Sequence, residues 1–161
     1  MLIVVMGVSG SGKSTIGSLL ARRLECAFAD ADDFHPANNL EKMESGKPLT
    51  DNDRDPWLYQ LNRQLVEWWL KGQSGVLACS ALKRKYAATL EHGLPQGSVR
   101  FVHLDGPPEL LAERMNHRRN HFMPAKLLAS QLAALEAPES ALIVSIEPAP
   151  EQIVDRILNA L

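Results

Sequence analysis

The sequence predicts an α/β domain in which a mainly parallel sheet is covered by helices on both faces. Short apolar runs alternate with amphipathic segments, which is the pattern of βαβ units. The expected strands are residues 2–6, 27–30, 75–79, 99–104 and 142–146, and the expected helices are residues 13–25, 36–45, 55–71, 83–92, 108–118, 124–136 and 149–160. With 161 residues there is room for one domain with a proper core, so residues 1–161 are expected to form a single domain.

A glycine-rich loop joins the first strand to the first helix. Residues 7–14 read Gly-Val-Ser-Gly-Ser-Gly-Lys-Ser and follow the apolar run 2–6 directly. In this context the backbone N–H groups and the helix N-terminus can surround a phosphate. Lys13 can reach the β- and γ-phosphates, and the Ser14 hydroxyl can bind Mg²⁺. The predicted nucleoside triphosphate site consists of Gly7, Val8, Ser9, Gly10, Ser11, Gly12, Lys13, Ser14 and Thr15.

Composition narrows the class of protein. Hydrophobic residues make up 45% of the chain and charged residues 22%, as in an ordinary soluble globular protein. The net charge of −2 argues against bulk binding of nucleic acid, and no apolar window is long enough to predict a membrane span. The first apolar run leads straight into the phosphate loop, so it is interpreted as a core strand rather than a signal peptide. Two cysteines, Cys26 and Cys79, fit a reducing, cytoplasmic setting, and Cys79 is expected to be a buried small hydrophobe.

An acidic turn follows the second strand. Asp30, Asp32 and Asp33 fall within four residues, just before His35. One interpretation is a solvated turn in which Asp33 caps the next helix. Beside a phosphate loop we favour another, because phosphoryl transfer to a hydroxyl needs a carboxylate to orient and deprotonate that hydroxyl. Asp32 is the candidate for this role, and Asp30 is the candidate contributor to the water shell of Mg²⁺.

One residue that often binds the metal in phosphate-loop enzymes is missing from this sequence. The third strand ends in Ser80, where many phosphate-loop enzymes carry an aspartate that holds the metal. The sequence therefore assigns metal binding firmly to Ser14 alone. The acidic turn is inferred to take the place of the missing aspartate.

A basic cluster lies late in the chain, between Arg114 and His121. Basic residues that end a helix complement its dipole, and that explains one or two of them. The density of the cluster also suits a mobile segment that closes over ATP and places guanidinium groups against the developing charge. Arg114 and Arg118 are four residues apart and share a helix face, so this pair is expected to contact ATP.

The segment before the third predicted helix contains a candidate anchor for a substrate carboxylate. Arg54 can supply a guanidinium fork, although surface pairing with Asp51 or Asp53 is an equally good interpretation. Lys83, after the third strand, brings an ammonium group to the same edge of the sheet. The helix itself is expected to begin with Asp55 as its N-cap and Pro56 at its first position. Its stripe of Trp57, Leu61, Leu65 and Trp68 is expected to be core, with no ligand assigned to it.

Five segments together resemble the gluconokinases, small ATP-dependent gluconate kinases related in fold to shikimate and nucleoside-monophosphate kinases. These segments are GVSGSGKST (7–15), DADDFHP (30–36), GKPLTDNDRDPWL (46–58), ACSALKRKY (78–86) and HFMPAKLLASQLAALE (121–136). The resemblance implies a three-layer P-loop kinase fold with sheet order 2-3-1-4-5, an acceptor-binding region at about 35–70 and a lid at about 114–124. It also implies conversion of ATP and D-gluconate to ADP and 6-phosphogluconate, and a homodimer.

The resemblance extends to individual residues. The phosphate-loop residues carry over to 7–15, the acidic motif to Asp30, Asp32 and Asp33, and the lid arginine to Arg118. The residues expected to bind the acceptor are Asp32, Asp33, His35, Arg54 and Lys83, and the catalytic residues are Lys13, Asp32 and Arg118. The adenine pocket is expected near the loop Glu147–Pro150. Two alternatives stay open: a kinase for another hydroxy acid such as shikimate, and a nucleotide-dependent binding module, although no Asn-Lys-x-Asp motif for guanine recognition occurs.

Overall fold

The computed structural model describes residues 1–116 and 125–161. Its five strands form one parallel sheet in the order β2-β3-β1-β4-β5, as expected. The strands are β1 Leu2–Met6, β2 Ala27–Asp30, β3 Gly75–Ala78, β4 Val99–Asp105 and β5 Leu142–Ser145. In the central strand, Leu2 is in register with Gly75 on one side and Val99 on the other. This register brings the ends of β1, β2 and β3 to a common edge, where the phosphate loop and the acidic turn begin.

Helices connect the strands. They are α1 Lys13–Leu24, α2 Ala37–Glu44, α3 Asp51–Leu70, α4 Arg84–Glu91, α5 Pro108–Asn116, α6 Ala125–Ala134 and α7 Pro150–Ala160, and a 3₁₀ helix spans Ala31–Phe34. Pro108 and Pro150 occupy the first positions of their helices, where the missing N–H leaves no hydrogen bond unmade. Across the described residues, we find no helix with the length and apolar character needed to span a membrane.

The sheet separates two apolar layers. Ile3 and Val5 of β1 point into a cluster with residues of α1 and α7, whereas Leu2, Val4 and Met6 point into a cluster with α3 and α4. Alternate residues of one strand are thus buried on opposite faces, which requires cover on both sides. The expected core stripe of α3 is confirmed: Trp57, Leu61, Leu65 and Trp68 are all buried.

The start of α3 differs from the sequence-based expectation. The helix begins at Asp51, so the prediction of Asp55 as N-cap and Pro56 as first residue is wrong. The reason is a capping box at Thr50: the Asp53 N–H donates to Thr50 Oγ1 at 3.1 Å, and the Thr50 N–H donates to Asp53 Oδ2 at 2.8 Å. These two bonds start the helix one turn earlier and place Arg54 within its first turn.

Candidate active site

A cavity lies at the carboxyl edge of the sheet, between the phosphate loop, the acidic turn and the start of α3. Among the predicted site residues, those that line it are Ser9, Gly10, Gly12, Lys13, Ser14, Asp30, Asp32, His35 and Arg54. Its wall also includes Ser80 after β3 and Ser130 and Gln131 of α6. Segments that are far apart in sequence therefore meet at one site.

The phosphate loop has the backbone that its glycines permit. Gly10 and Gly12 have φ values of 85° and 89°, a region that side chains with a Cβ rarely adopt. A Cβ on Gly10 would lie 2.8 Å from the Leu111 carbonyl oxygen. The Lys13 ammonium donates to the Val8 carbonyl at 3.1 Å, which folds this side chain back over the loop.

Helix α6 contributes a contact that the sequence did not predict. The Ser9 N–H donates to Gln131 Oε1 at 2.7 Å, across 122 residues of chain. This bond ties α6 to the phosphate loop and brings Gln131 into the cavity wall.

The acidic turn is built around Asp30. The Ser14 hydroxyl donates to Asp30 Oδ2, and the Asp32 N–H donates to Asp30 Oδ1 at 3.0 Å, so that Asp30 caps the 3₁₀ helix. Asp32 and Asp33 are both exposed, but Asp32 lines the cavity and Asp33 does not.

The Ser14–Asp30 pair fits Mg²⁺. Within residues 1–116 and 125–161, no group of three or more His, Cys, Asp or Glu side chains could hold a metal ion. Mg²⁺ does not require such a cluster, because beside a nucleotide it takes one or two protein oxygens together with phosphates and waters. The hydroxyl and carboxylate oxygens of this pair match that preference.

The position of Arg54 fits both interpretations of this residue, the anchor for a substrate carboxylate and the partner of a nearby aspartate. It lines the cavity, and its Nη1 also lies 4.0 Å from Asp51 Oδ1. The same Nη1 donates to the Leu49 carbonyl at 2.8 Å and to the Tyr86 hydroxyl at 3.1 Å. The guanidinium is therefore held from two sides.

Asp51 is the centre of the charge cluster behind Arg54. The Tyr86 hydroxyl donates to Asp51 Oδ1 at 2.5 Å, Lys85 donates to Oδ2, and the Lys83 ammonium lies 3.7 Å from Oδ1. The hydrogen bonds from Lys85 and Tyr86 lower the pKa of Asp51 to about 2. Burial, with the bond to Asp51, raises the pKa of Tyr86 to about 12, so Tyr86 stays protonated. Lys83 faces this cluster and does not line the cavity, which makes Arg54 the better-placed anchor.

His35 forms a wall of the cavity with Trp57. The two rings stack with centroids 4.2 Å apart and an interplanar angle of 11°. Trp57 is fixed by a 2.7 Å hydrogen bond from its Nε1 to the Ala31 carbonyl. Burial, and secondarily the charge of Arg54, lowers the pKa of His35 to about 4, so the ring is neutral at pH 7. Trp57 is buried as predicted, but it also lines the cavity, a role that its helical spacing did not indicate.

Cys79 lies in the cavity wall without the properties of a nucleophile. It is buried, as predicted, and burial raises the pKa of its thiol to about 12.

The predicted lid is described only in part. Arg114 donates from Nη2 to the Ile146 carbonyl at 2.8 Å and does not line the cavity. Arg118 and the remainder of the basic cluster lie outside the described residues, so the lid at 114–124 stays a prediction.

Comparison with known proteins identifies the family. The family model described as shikimate kinase matches residues 9–161. The gluconokinase of Gluconobacter oxydans is 46% identical over 161 residues, which cover 98% of this chain and 89% of that protein. The chain belongs to the gluconokinase family. The assignment made from the five sequence segments is thereby confirmed.

Solved structures agree with membership of the gluconokinase family. A gluconokinase from Sinorhizobium meliloti superposes with a TM-score of 0.87 and 43% identity, covering 98% of this chain and 89% of that one. A sugar kinase from a Janibacter species, in an unliganded structure, superposes with a TM-score of 0.91 and 48% identity, covering 98% and 92% of the two chains. The P-loop kinase fold expected from the sequence is confirmed by this likeness and by the sheet order.

Proposed function

We propose that this protein transfers the γ-phosphoryl group of ATP to the 6-hydroxyl of D-gluconate, giving ADP and 6-phospho-D-gluconate. The observation that carries the proposal is the shared cavity: Lys13, Asp32 and Arg54 all line it. A cation for phosphates, a carboxylate for a hydroxyl and a guanidinium for a carboxylate are the groups that this reaction needs. Membership of the gluconokinase family supports the choice of acceptor.

The phosphate side of the site is assigned to residues 7–15. Backbone N–H groups of the loop and the Lys13 ammonium bind the triphosphate and track the charge on the transferring group. Ser14 and Asp30 would hold Mg²⁺, which neutralises charge on the phosphate oxygens when bound. Arg114 and Arg118, with the lid at about 114–124, are proposed to close over ATP and exclude water.

The acceptor side is assigned to residues at about 35–70, together with the acidic turn. Asp32 accepts the proton of the attacking hydroxyl, and Arg54 binds the carboxylate at the other end of the sugar acid. The bonds from Arg54 to Leu49 and Tyr86 hold the guanidinium in place before the acceptor arrives. His35 completes the proposed acceptor set within the cavity wall. Asp33 and Lys83, which the sequence also assigned to the acceptor, lie outside that wall, and Lys83 is kept as the alternative anchor should Arg54 not bind the carboxylate.

The proposal also covers the molecule as a whole. Residues 1–161 are proposed to form one catalytic domain that works in the cytoplasm, as the chain length and the two cysteines suggest. A homodimer is proposed as the working form, as the resemblance implies. Its partners are ATP and gluconate, with neither nucleic acid nor membrane involved.

The experiment that tests the function is a coupled ADP assay with a panel of acceptors. We expect MgATP to be consumed when gluconate is added, with shikimate and no acceptor as negative arms. The Lys13→Ala variant should lose on the order of 10²-fold or more in turnover. Preference for shikimate would move the proposal to another hydroxy acid, and ADP release independent of any acceptor would contradict a sugar-acid kinase.

A further inference from the structure

The two ring nitrogens of His35 have different surroundings. Nδ1 lies 3.3 Å from the side-chain nitrogen Nδ2 of Asn39. No hydrogen bond to Nε2 occurs within the residues that the structure describes. The ring is held by its stack on Trp57, and His35 lines the cavity. One nitrogen is therefore engaged by the protein, and the other remains for a ligand.

A second hydrogen bond, to the backbone of Asp53, fixes the orientation of the Asn39 side-chain amide. Asn39 is buried, and its Nδ2 also donates to the Asp53 carbonyl oxygen at 2.9 Å. Turning the amide round would bring its oxygen against that carbonyl, and two acceptors would then face each other. Asp53 itself is held by the capping box and by a 2.6 Å bond from Lys42.

The proton position in His35 follows from this arrangement. An amide nitrogen only donates, so Nδ1 of His35 must accept, and in a neutral ring the hydrogen then lies on Nε2. A second hydrogen on Nδ1 would face the Asn39 N–H groups, in addition to adding a cation near Arg54. Both the neutral state and the tautomer are thus determined by contacts of the protein.

We infer that Asn39 is a positioning residue that holds His35 in the Nε2–H tautomer, so that His35 donates a hydrogen bond to a hydroxyl oxygen of the acceptor. The inference rests on the proposed function, because it assigns a role within the same cavity. A polyhydroxy acid offers hydroxyl oxygens along its chain, and a neutral N–H donor binds them without competing with Arg54 for the carboxylate.

The tautomer is tested directly by long-range ¹H–¹⁵N correlation spectra of the histidine rings, with His35→Gln used to assign His35. At pH 7 we expect Nδ1 in the unprotonated range and Nε2 in the protonated range, with or without gluconate. A protonated Nδ1, or rapid exchange between tautomers, would overturn the inference. This result does not depend on which acceptor the enzyme uses.

Steady-state kinetics test the role in acceptor binding. Asn39→Asp offers Nδ1 an acceptor in place of a donor, so it should protonate Nδ1 and raise KM for gluconate roughly three- to tenfold, with KM for ATP unchanged. The matched control is Asn38→Asp, which makes the same charge change at an exposed neighbour outside the cavity. Equal gluconate KM values in the two variants would overturn the inference.

A second pair of variants covers the case in which Asn39→Asp does not fold. Gln can place an amide N–H near the position of Nε2, whereas Asn reaches only the position of Nδ1. His35→Gln should therefore keep gluconate KM closer to wild type than His35→Asn, by roughly three- to tenfold. The reverse order, or equal losses, would refute the donor role. If the wild-type enzyme does not turn over gluconate at all, the proposed function fails, while the tautomer measurement still decides the assignment of Asn39.

Discussion

At the scale of single residues, Asp30 and Asp32 differ in their contacts although they are two positions apart. Asp30 accepts from the Ser14 hydroxyl and the Asp32 N–H, which makes it part of the turn and of the proposed Mg²⁺ site. Asp32 lines the cavity. Because an amide keeps the shape but loses the basicity, Asp32→Asn should lower turnover by roughly 10²–10⁴-fold. Calorimetric titration should show that the variant still binds ATP.

Asp30→Asn is the matched comparison for Asp32→Asn. It should raise the Mg²⁺ concentration that gives half the maximal rate, with a smaller effect at saturating Mg²⁺. If the two variants exchange these effects, the roles of the two carboxylates are exchanged as well.

Arg54 gives the second prediction at this scale. Losing a guanidinium that pairs with a desolvated carboxylate costs about 2–5 kcal/mol of binding. Arg54→Ala should therefore raise KM for gluconate strongly and leave KM for ATP nearly unchanged. Lys83→Ala is the control, since Lys83 lies 3.7 Å from Asp51 and does not line the cavity. A rise in gluconate KM in Lys83→Ala, with none in Arg54→Ala, would make Lys83 the anchor.

At the scale of elements, the sequence predicted the structures that depend on local patterns, but it did not predict contacts between residues far apart in the chain. The strand, glycine loop and α1 were predictable because periodicity and motif agree within residues 2–24. The start of α3 was mispredicted because Asp55-Pro56 imitates a helix start, while the Thr50–Asp53 capping box acts a turn earlier. The contact of Ser9 with Gln131 joins residues 122 positions apart, and the contact of Asp51 with Tyr86 joins residues 35 positions apart. No periodicity or spacing signals such pairs.

The capping box of α3 gives a prediction for stability. Thr50→Ala removes the side-chain oxygen that accepts from the Asp53 N–H, and loss of an N-cap costs about 1 kcal/mol of the free energy of unfolding. Urea denaturation should show this loss, and Thr50→Ser should restore most of it. Equal stability of Thr50→Ala and wild type would mean that α3 does not depend on this cap.

At the scale of the whole molecule, the order of the strands in the sheet determines which residues meet at the candidate active site. Order 2-3-1-4-5 places the ends of β1, β2 and β3 side by side, and so brings Lys13, Asp32 and the start of α3 to one cavity. Alternating strands and helices predicted a parallel sheet, but the strand order came from the family resemblance. Periodicity identifies buried faces and does not say which strands are neighbours.

The pH dependence of global stability tests the environment of His35. Its pKa falls from 6.5 to about 4 on folding, so between these values the unfolded chain binds more protons than the folded one. Neutral His35 therefore makes its whole contribution to the free energy of unfolding at pH values above the unfolded pKa of 6.5, and this contribution is lost as the pH falls toward 4. The Tm of the wild type should therefore fall relative to that of His35→Gln as pH decreases from 7 to 4. A constant difference in Tm would show that the pKa of His35 is not depressed.

The central claim is that the γ-phosphoryl group of ATP is transferred in this cavity to the primary hydroxyl of gluconate, with ADP as the leaving group. ³¹P NMR of the reaction mixture tests this claim most directly. With MgATP and gluconate we predict loss of the γ-phosphate signal and growth of one phosphate-ester signal whose phosphorus couples to the two protons of a CH₂ group. An ester coupled to a single CH proton, or inorganic phosphate as the only product, would contradict the account.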